Sequence, residues 1–261
     1  MRRLAFSLIE LLVVIAILAL LTAISAPALH GSRKQAKTIL CGSNIKQQML
    51  GMFAYEADNE ALPFGFRTSL TAPPGGYPGN LLFDKPGWWW FNYISDYSEA
   101  NKNKRHIARC PSNQIDCIEL NGFILHGNYG VNQSLCKSWF GGRLQSDFVG
   151  TPLKTSNISR PGQTVLIVDS GYALINWRHA IDPCHVKLGP TIEDKAYVPG
   201  LEINEKKELF PGQQRDAISG RHLDKRVNIG FADGHMACEK ADFLLVEKAD
   251  ITYRNINVWL P

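Results

Sequence analysis

The sequence predicts an α+β fold in which one long N-terminal helix packs on an antiparallel β-sheet. An apolar run from Leu11 to Leu29 leads into an amphipathic stretch that reaches Asp58. Beyond that stretch, short apolar runs bounded by turn-forming residues alternate with loops, as is typical of strands. Strands that follow one long helix indicate the α+β class.

Length and charge restrict the classes of function. The chain has 261 residues, enough for one domain with a substantial core beyond the N-terminal helix. Its 28 Lys and Arg and 24 Asp and Glu give a net charge of +4, and two of the positive residues, Arg2 and Arg3, precede the apolar run. The rest of the chain is near neutral and lacks a basic stripe, so we expect no nucleic-acid partner.

The first thirty residues have three interpretations. A secretory signal peptide fits the small residues around Pro27, but the apolar run is too long for one and is preceded by Glu10. A permanent membrane anchor explains the length and the leading arginines, since the run would cross the bilayer as a helix. Neither explains an acidic residue at the edge of an apolar segment, where a carboxylate costs up to roughly 3 kcal/mol.

The third interpretation is a resemblance. The segment "AFSLIELLVVIAILALL" resembles the class III signal of type IV prepilins and type II secretion pseudopilins: a small residue, Phe, three residues, Glu and an apolar helix. This resemblance implies cleavage between Ala5 and Phe6 by a prepilin peptidase, N-methylation of Phe6, and an assembly role for Glu10. Pro27 falls where pilins often carry a helix-loosening proline. One departure is Ala5, because the residue before the cut is usually glycine.

The resemblance implies a pilin-like structural subunit of a type IV pilus-like or type II secretion filament, with no catalysis of its own. Residues 1–5 would be the leader, 6–29 the transmembrane and filament-core helix, 30–59 its amphipathic continuation, and 60–261 the exported α+β domain. The partners would be the peptidase, other pilin-like subunits and the inner membrane. Because positive residues flank the cytoplasmic side of a span, Arg2 and Arg3 predict a cytoplasmic N-terminus and a periplasmic or extracellular domain. The alternatives are a membrane-anchored binding module that never assembles and, third, a metal-dependent enzyme.

The helix is predicted to continue past the membrane segment. An apolar stripe with steps of three and four residues indicates a helix face that packs on the domain; it consists of Cys41, Ile45, Met49, Met52 and Phe53. Pro27 removes one helical hydrogen bond and is predicted to kink or loosen the helix. The end is predicted near Asp58 and Asn59, ahead of Pro63.

The rest of the chain yields five local predictions. Gly162 to Gly171 reads as a buried strand. Arg226 to Cys238 reads as a hairpin with its turn at Asp233 and Gly234. A short helix is predicted over 241–249 and a final strand over 251–260. In the run of tryptophans at 88–90, one or two are predicted to pack in the core over the long helix and another to be partly exposed.

A second resemblance covers most of the chain in scattered segments. His222, Asp233 and Gly234 resemble the H-x9-DG element of a bacterial prepilin-type family, and "CGSNIKQ", "CPS" and "ISRPGQTVLIVDSG" match as well. One departure is that ten residues separate His222 from Asp233, which predicts a longer turn or a bulge. The resemblance implies a Cys41–Cys110 disulfide, worth about 3–4 kcal/mol, whereas the alternative is two buried free thiols.

Other chemistry has little support in the sequence. His222, Asp233 and His235 have the right types for a metal, but their spacing matches no standard ligand motif, so we expect no metal and no cofactor. Some pseudopilins bind calcium; Asp224, Asp233 and Asp242 are candidates by type, without a DxDxDG run. Asp169, His179, Cys184 and His185 show no spacing that supports a catalytic site. Hydrolase, metalloprotease and nucleotide-binding motifs are absent, so we expect no enzyme.

Overall fold

The computed structural model describes residues 8–69, 71–74, 86–97, 109–113, 115, 128–141, 146–184 and 195–261. The helices in these ranges are α1 (Leu8–Asn59), α2 (Trp90–Tyr93) and α3 (Pro211–Ser219). The strands are β1 (Phe66–Arg67), β2 (Trp88–Trp89), β3 (Tyr129–Asn132), β4 (Val165–Asp169), β5 (Leu174–Ile175), β6 (Ile181–Asp182), β7 (Arg226–Phe231), β8 (Met236–Lys240), β9 (Val246–Ala249) and β10 (Thr252–Arg254).

The strands form three sheets, of which the largest has five strands in the order β5-β3-β4-β7-β8. The pairs β3–β4, β4–β7 and β7–β8 are antiparallel, and the edge strand β5 is parallel to β3. A three-stranded sheet has the order β10-β9-β6, and β1 pairs with β2. One long helix with antiparallel-rich sheets confirms the predicted α+β fold.

Helix α1 is unbroken from Leu8 to Asn59, so its end agrees with the prediction, and Pro27 lies inside it. The chain leaves the helix at Glu60, which adopts a left-handed conformation (φ 58°) and donates its N–H to the carbonyl of Glu56 at 2.8 Å. Such a residue ends a helix by satisfying one of its last carbonyl groups. The first half of α1 is exposed, and the second half lies on β7 and β8.

The predicted apolar stripe of α1 is confirmed, since its side chains are fully buried except for Phe53, which is half-buried. The stripe faces Gly230 on β7, whose missing side chain lets Ile45 and Met49 approach the strand. Alternate residues Val227, Ile229 and Phe231 are buried as well. Strand β7 is therefore covered on both faces.

The predicted helix over 241–249 is wrong. The chain makes a 3-10 turn at Ala241–Leu244 and then forms β9, which pairs with β6 on one side and β10 on the other. Two neighbouring strands supply the backbone partners that override local helix propensity. The final strand is shorter than predicted, because β10 gives way to a 3-10 turn at Ile256–Val258.

In the tryptophan run, Trp89 and Trp90 are buried and Trp88 is half-buried, as predicted.

A buried lysine makes the stability of the domain depend on pH. The Lys207 ammonium group donates to the carbonyl groups of His179 at 2.6 Å and Ala196 at 3.4 Å. Burial lowers the pKa of Lys207 to about 8. Because an unfolded lysine titrates near 10.4, the unfolded chain binds more protons than the folded chain between about pH 8 and about pH 10. Stability from this residue therefore rises with pH in that window.

We expect Lys207→Met to remove this rise, which amounts to at most roughly 3 kcal/mol. The measurement is the urea midpoint of the detergent-solubilised chain below pH 8 and near pH 10. Lys206→Met is the matched control, since Lys206 is exposed and lies 3.6 Å from Asp182. An identical pH dependence in wild type and Lys207→Met would contradict the prediction.

Candidate functional site

The exposed part of α1 is the first candidate region. Glu10 lies in its first turn, while Ala5 and Phe6 lie outside the described residues. From Leu8 to Leu29 the apolar side chains face away from the rest of the chain and are exposed. Within the described residues, α1 is a helix long and apolar enough to cross a membrane.

The second candidate region is a buried cluster of four side chains that the fold brings together from distant positions. Cys41 comes from α1, Cys110 from the segment 109–113, Asp169 from the end of β4, and His222 from the chain just after α3. One sulphur, nitrogen or oxygen atom from each lies within 4.8 Å of those of the other three. All four residues are buried. We call this group the Cys–Asp–His cluster.

Short polar contacts connect the members of the Cys–Asp–His cluster. The Cys41 thiol donates to Asp169 Oδ1 at 3.1 Å. The other carboxylate oxygen, Oδ2, lies 3.0 Å from His222 Nε2, and that nitrogen lies 3.9 Å from Cys110 Sγ. Cys41 and Cys110 are both free thiols in the structure, so the disulfide predicted between them is not formed there and stays a prediction.

Neighbouring groups fix the orientation of each cluster member. The Thr38 hydroxyl donates to the carbonyl of Lys34 at 3.0 Å and lies 3.1 Å from His222 Nδ1. The backbone N–H of Asn228 donates to Asp169 Oδ2 at 2.8 Å. The Tyr129 hydroxyl donates to Cys41 Sγ at 3.4 Å.

The segment that carries Cys110 and the chain before His222 are held in the same way. The Cys110 N–H donates to Asn128 Oδ1 at 3.0 Å. Arg221, next to His222, is fully buried and pairs with Asp216 at 2.9 Å. Its guanidinium group also donates to the carbonyl groups of Asn128 at 2.8 Å and Ser170 at 2.9 Å. Through these hydrogen bonds, Asn128 and Arg221 connect the start of β3 and the end of β4 to the Cys110 segment and to the chain before His222.

Burial and neighbouring charges shift the pKa values of all four members of the Cys–Asp–His cluster. Although burial opposes ionisation, the charge and hydrogen bond of His222 lower the pKa of Asp169. Burial lowers the pKa of His222, but the Asp169 carboxylate outweighs it and raises the pKa to about 10. Burial raises the pKa of Cys110, whereas its contacts with Cys41 and His222 and the charge of Arg221 lower it to about 7. The pKa of Cys41 is raised by burial.

The residues of the C-terminal element separate into two places. Asp233 and Gly234 form the β7–β8 turn, with Gly234 at φ 91°, as predicted. Asp233 Oδ1 lies 2.6 Å from His235 Nδ1, and the His235 ring stacks on Phe231 with centroids 4.3 Å apart. His222 instead belongs to the buried Cys–Asp–His cluster. Among the described residues, His222, Asp233 and His235 therefore do not form the metal site considered from the sequence.

The longer spacing between His222 and Asp233 has a structural counterpart. A 3-10 turn at Leu223–Lys225 precedes β7, and Asp224 and Lys225 both have positive φ (57° and 52°). The predicted longer turn is present. The calcium candidates Asp224, Asp233 and Asp242 are exposed and belong to no metal-ligating group among the described residues.

Sequence reasoning missed Asp169 as a partner of Cys41, Cys110 and His222. One signal was available: the run "VLIVD" ends an otherwise apolar, fully buried strand with a carboxylate. A buried carboxylate requires a counter-charge or several hydrogen bonds. No local pattern indicates which residues supply them.

Comparison with known proteins supports the N-terminal resemblance. Residues 1–26 match the model of the family described as "Prokaryotic N-terminal methylation motif". This match supports a type IV prepilin-like protein. Together with α1, the one helix among the described residues that could cross a membrane, it indicates single-pass membrane anchoring. No curated protein and no solved structure matches the chain.

Proposed function

We propose that this chain is a structural, non-catalytic subunit of a type IV pilus-like or type II secretion filament. In this proposal a prepilin peptidase cleaves between Ala5 and Phe6 and Phe6 is N-methylated. The N-terminus starts in the cytoplasm, and the domain after α1 lies outside the inner membrane. The match of residues 1–26 to the methylation-motif family is the observation that carries the proposal.

The exposure of α1 supports assembly through this helix. Its first half presents large apolar side chains on every face. Such a surface is stable in lipid or against other apolar helices, and in water it would promote aggregation. Before assembly this half of α1 lies in the membrane, and in the filament core the apolar helices of neighbouring subunits replace the lipid around it.

Glu10 has a specific role in this proposal. Cleavage creates a positive amine at Phe6, which enters an apolar core during assembly. A buried charge that lacks a partner costs several kcal/mol. The Glu10 carboxylate of a neighbouring subunit neutralises this amine and sets the axial register between subunits.

We expect Glu10→Gln to reduce the fraction of the protein recovered in filaments at least tenfold, because each unpaired amine costs more than about 1.4 kcal/mol. The measurement is the amount of the chain in sheared filaments or in cross-linked ladders from the native envelope. Glu60→Gln is the matched control, since Glu60 is exposed and lies just beyond α1. Normal assembly of Glu10→Gln would support the membrane-anchored binding module instead.

The N-terminus of the protein from its native envelope tests the processing step. Mass spectrometry should find a mature chain that begins at methylated Phe6. A chain that begins at Leu29 would indicate ordinary secretion, and an intact Met1 would indicate a simple membrane anchor. Either of these two results would overturn the proposal.

A further inference from the structure

We propose that Cys41, Cys110, Asp169 and His222 bind a zinc ion as a structural site inside the domain. The donor set is two sulphurs, one imidazole nitrogen and one carboxylate oxygen, and zinc in structural sites takes four such ligands in a tetrahedron. This site differs from the combination of His222, Asp233 and His235 considered from the sequence. It also replaces the expectation that the chain binds no metal.

The distances between the ligand atoms fit a tetrahedral ion. Zinc bonds of about 2.0–2.3 Å place neighbouring ligand atoms roughly 3.3–3.8 Å apart. In the structure the separations are 3.0 Å between His222 Nε2 and Asp169 Oδ2, 3.1 Å between Cys41 Sγ and Asp169 Oδ1, and 3.9 Å between Cys110 Sγ and His222 Nε2. The two contacts of Asp169 use different carboxylate oxygens, and one donor atom from each of the four residues lies within 4.8 Å of the others. Movements of up to about 1 Å therefore convert the cluster into a ligand shell.

The hydrogen bonds of Thr38 orient His222 as a metal ligand. The Thr38 hydroxyl donates its hydrogen to the carbonyl of Lys34. Thr38 Oγ1 can therefore only accept from His222, so Nδ1 carries the hydrogen and Nε2 faces the cluster. A hydrogen bond of this kind at the remote nitrogen fixes the ring and the tautomer of a metal-binding histidine.

Other neighbours stabilise the anionic ligands. Tyr129 donates to Cys41 Sγ, and the Asn228 backbone N–H donates to Asp169 Oδ2. The Asn228 side-chain amide lies 3.1 Å from His222 Nε2 and also donates to the carbonyl of Thr38 at 3.1 Å. When an ion binds to His222 Nε2, the Asn228 amide keeps its hydrogen bond to the Thr38 carbonyl. These contacts match the supporting shell that metal sites require.

Burial and access also fit a structural ion. All four ligands are buried and come from four separate parts of the fold, so one ion would fasten α1 to β4, to the Cys110 segment and to the chain after α3. A surface pocket of about 420 Å³ borders the site, and Thr38, His222 and Asn228 line it. This pocket gives an ion a route to the cluster. The inference does not depend on filament assembly, because every ligand lies outside the exposed half of α1.

Metal analysis of the full chain in detergent tests the site, with zinc as the only added ion and a reductant present. We expect one bound zinc per chain in wild type, and at least a tenfold loss of bound zinc in His222→Gln and in Cys110→Ser. Cys184→Ser is the matched control, since Cys184 is a partly exposed free thiol outside both the cluster and the pocket, and it should retain the ion. If the ligand variants fail to fold, the wild type loaded with cobalt provides a second test. We expect its spectrum to show the thiolate-to-cobalt absorption of a tetrahedral site.

Thr38 provides a finer test. Thr38→Val removes the partner of His222 Nδ1, so zinc affinity should fall about 10- to 100-fold while the stoichiometry at high zinc is unchanged. Thr38→Ser keeps the hydroxyl group and should bind as wild type does.

Three results would overturn the proposal. The first is wild-type protein that takes up no zinc and no cobalt when reduced. The second is zinc that remains bound in both ligand variants, which would show adventitious binding. The third is a Cys41–Cys110 cross-linked peptide from protein alkylated without reduction, because the predicted disulfide would consume both sulphur ligands.

Discussion

Replacing Asp216 with alanine is expected to lower the free energy of unfolding by about 3–5 kcal/mol, because it leaves a buried cation without its counter-ion. The side chains of Asp216 and Arg221 are both completely buried and lie 2.9 Å apart. Arg221 Nε donates to both carboxylate oxygens, at 3.1 and 2.9 Å. The Tyr197 hydroxyl donates to the same carboxylate at 2.8 Å. A loss of this size is a large part of the 5–15 kcal/mol that stabilises a typical domain.

Urea unfolding of the detergent-solubilised chain measures this effect. Arg215→Ala is the matched control, since it removes an exposed charge from the same helix, and a change within about 0.5 kcal/mol is expected. Tyr197→Phe removes one hydroxyl and should cost about 1 kcal/mol. The double variant Asp216→Ala/Arg221→Met should be more stable than Asp216→Ala alone, since no charge is left unpaired. If Asp216→Ala unfolded at the urea concentration of wild type, the guanidinium group could not be buried as the structure has it.

The same ion pair positions the proposed metal site. Arg221 precedes His222 directly, and its guanidinium group donates to the carbonyl groups of Asn128 and Ser170. The Asn128 side chain accepts from the Cys110 N–H, and Ser170 directly follows Asp169. Asp216 thus acts on the Cys–Asp–His cluster through Arg221 and not by contact. Asp216→Ala should therefore weaken zinc binding in addition to destabilising the fold.

Periodic patterns made much of the fold predictable from the sequence. The apolar steps of three and four residues from Cys41 to Phe53 predicted the buried face of α1, and a single helix with regular spacing requires no knowledge of its partner. The β7–β8 hairpin was predictable for the same reason, since alternation and the Asp233–Gly234 turn are local. The failed helix over 241–249 is different, because its strand β9 depends on partners in β6 and β10 that no local pattern reveals.

The Cys–Asp–His cluster could not be predicted from spacing. Cys41 and Cys110 were associated only by family resemblance, and His222 was grouped with Asp233 because the two are close in the chain. The fold instead places His222 against Asp169, 53 residues away. Metal motifs are recognised from sequence when ligands share a turn or a helix. Four ligands from four separate segments leave no such signature.

Replacing Gly230 with valine is expected to destabilise the domain by about 3 kcal/mol, because it overfills the contact between α1 and the sheet. A Cβ atom at this position would lie 2.9 Å from Ile45 Cγ2 and 2.8 Å from Ile167 Cγ2, and closer still to the Met49 sulphur. Branched Ile side chains cannot withdraw easily. In an uncovered strand valine would be preferred over glycine, so a loss of stability indicates that side chains of α1 and β4 close over Gly230.

Gly31→Ala, within α1 itself, is expected to raise the stability of the chain and not to lower it. A Cβ atom at Gly31 would meet nothing within 4 Å, so alanine should stabilise the helix by about 0.5–1 kcal/mol. The double variant Gly230→Ala/Met49→Ala should be less destabilised than the sum of its single variants, since removing the Met49 side chain makes room for the new methyl group. Urea unfolding followed by tryptophan fluorescence measures all five variants. Should Gly230→Val prove as stable as wild type, the second half of α1 would not be packed on β7, and the Cys41 side chain that this packing positions would lose its place beside Asp169.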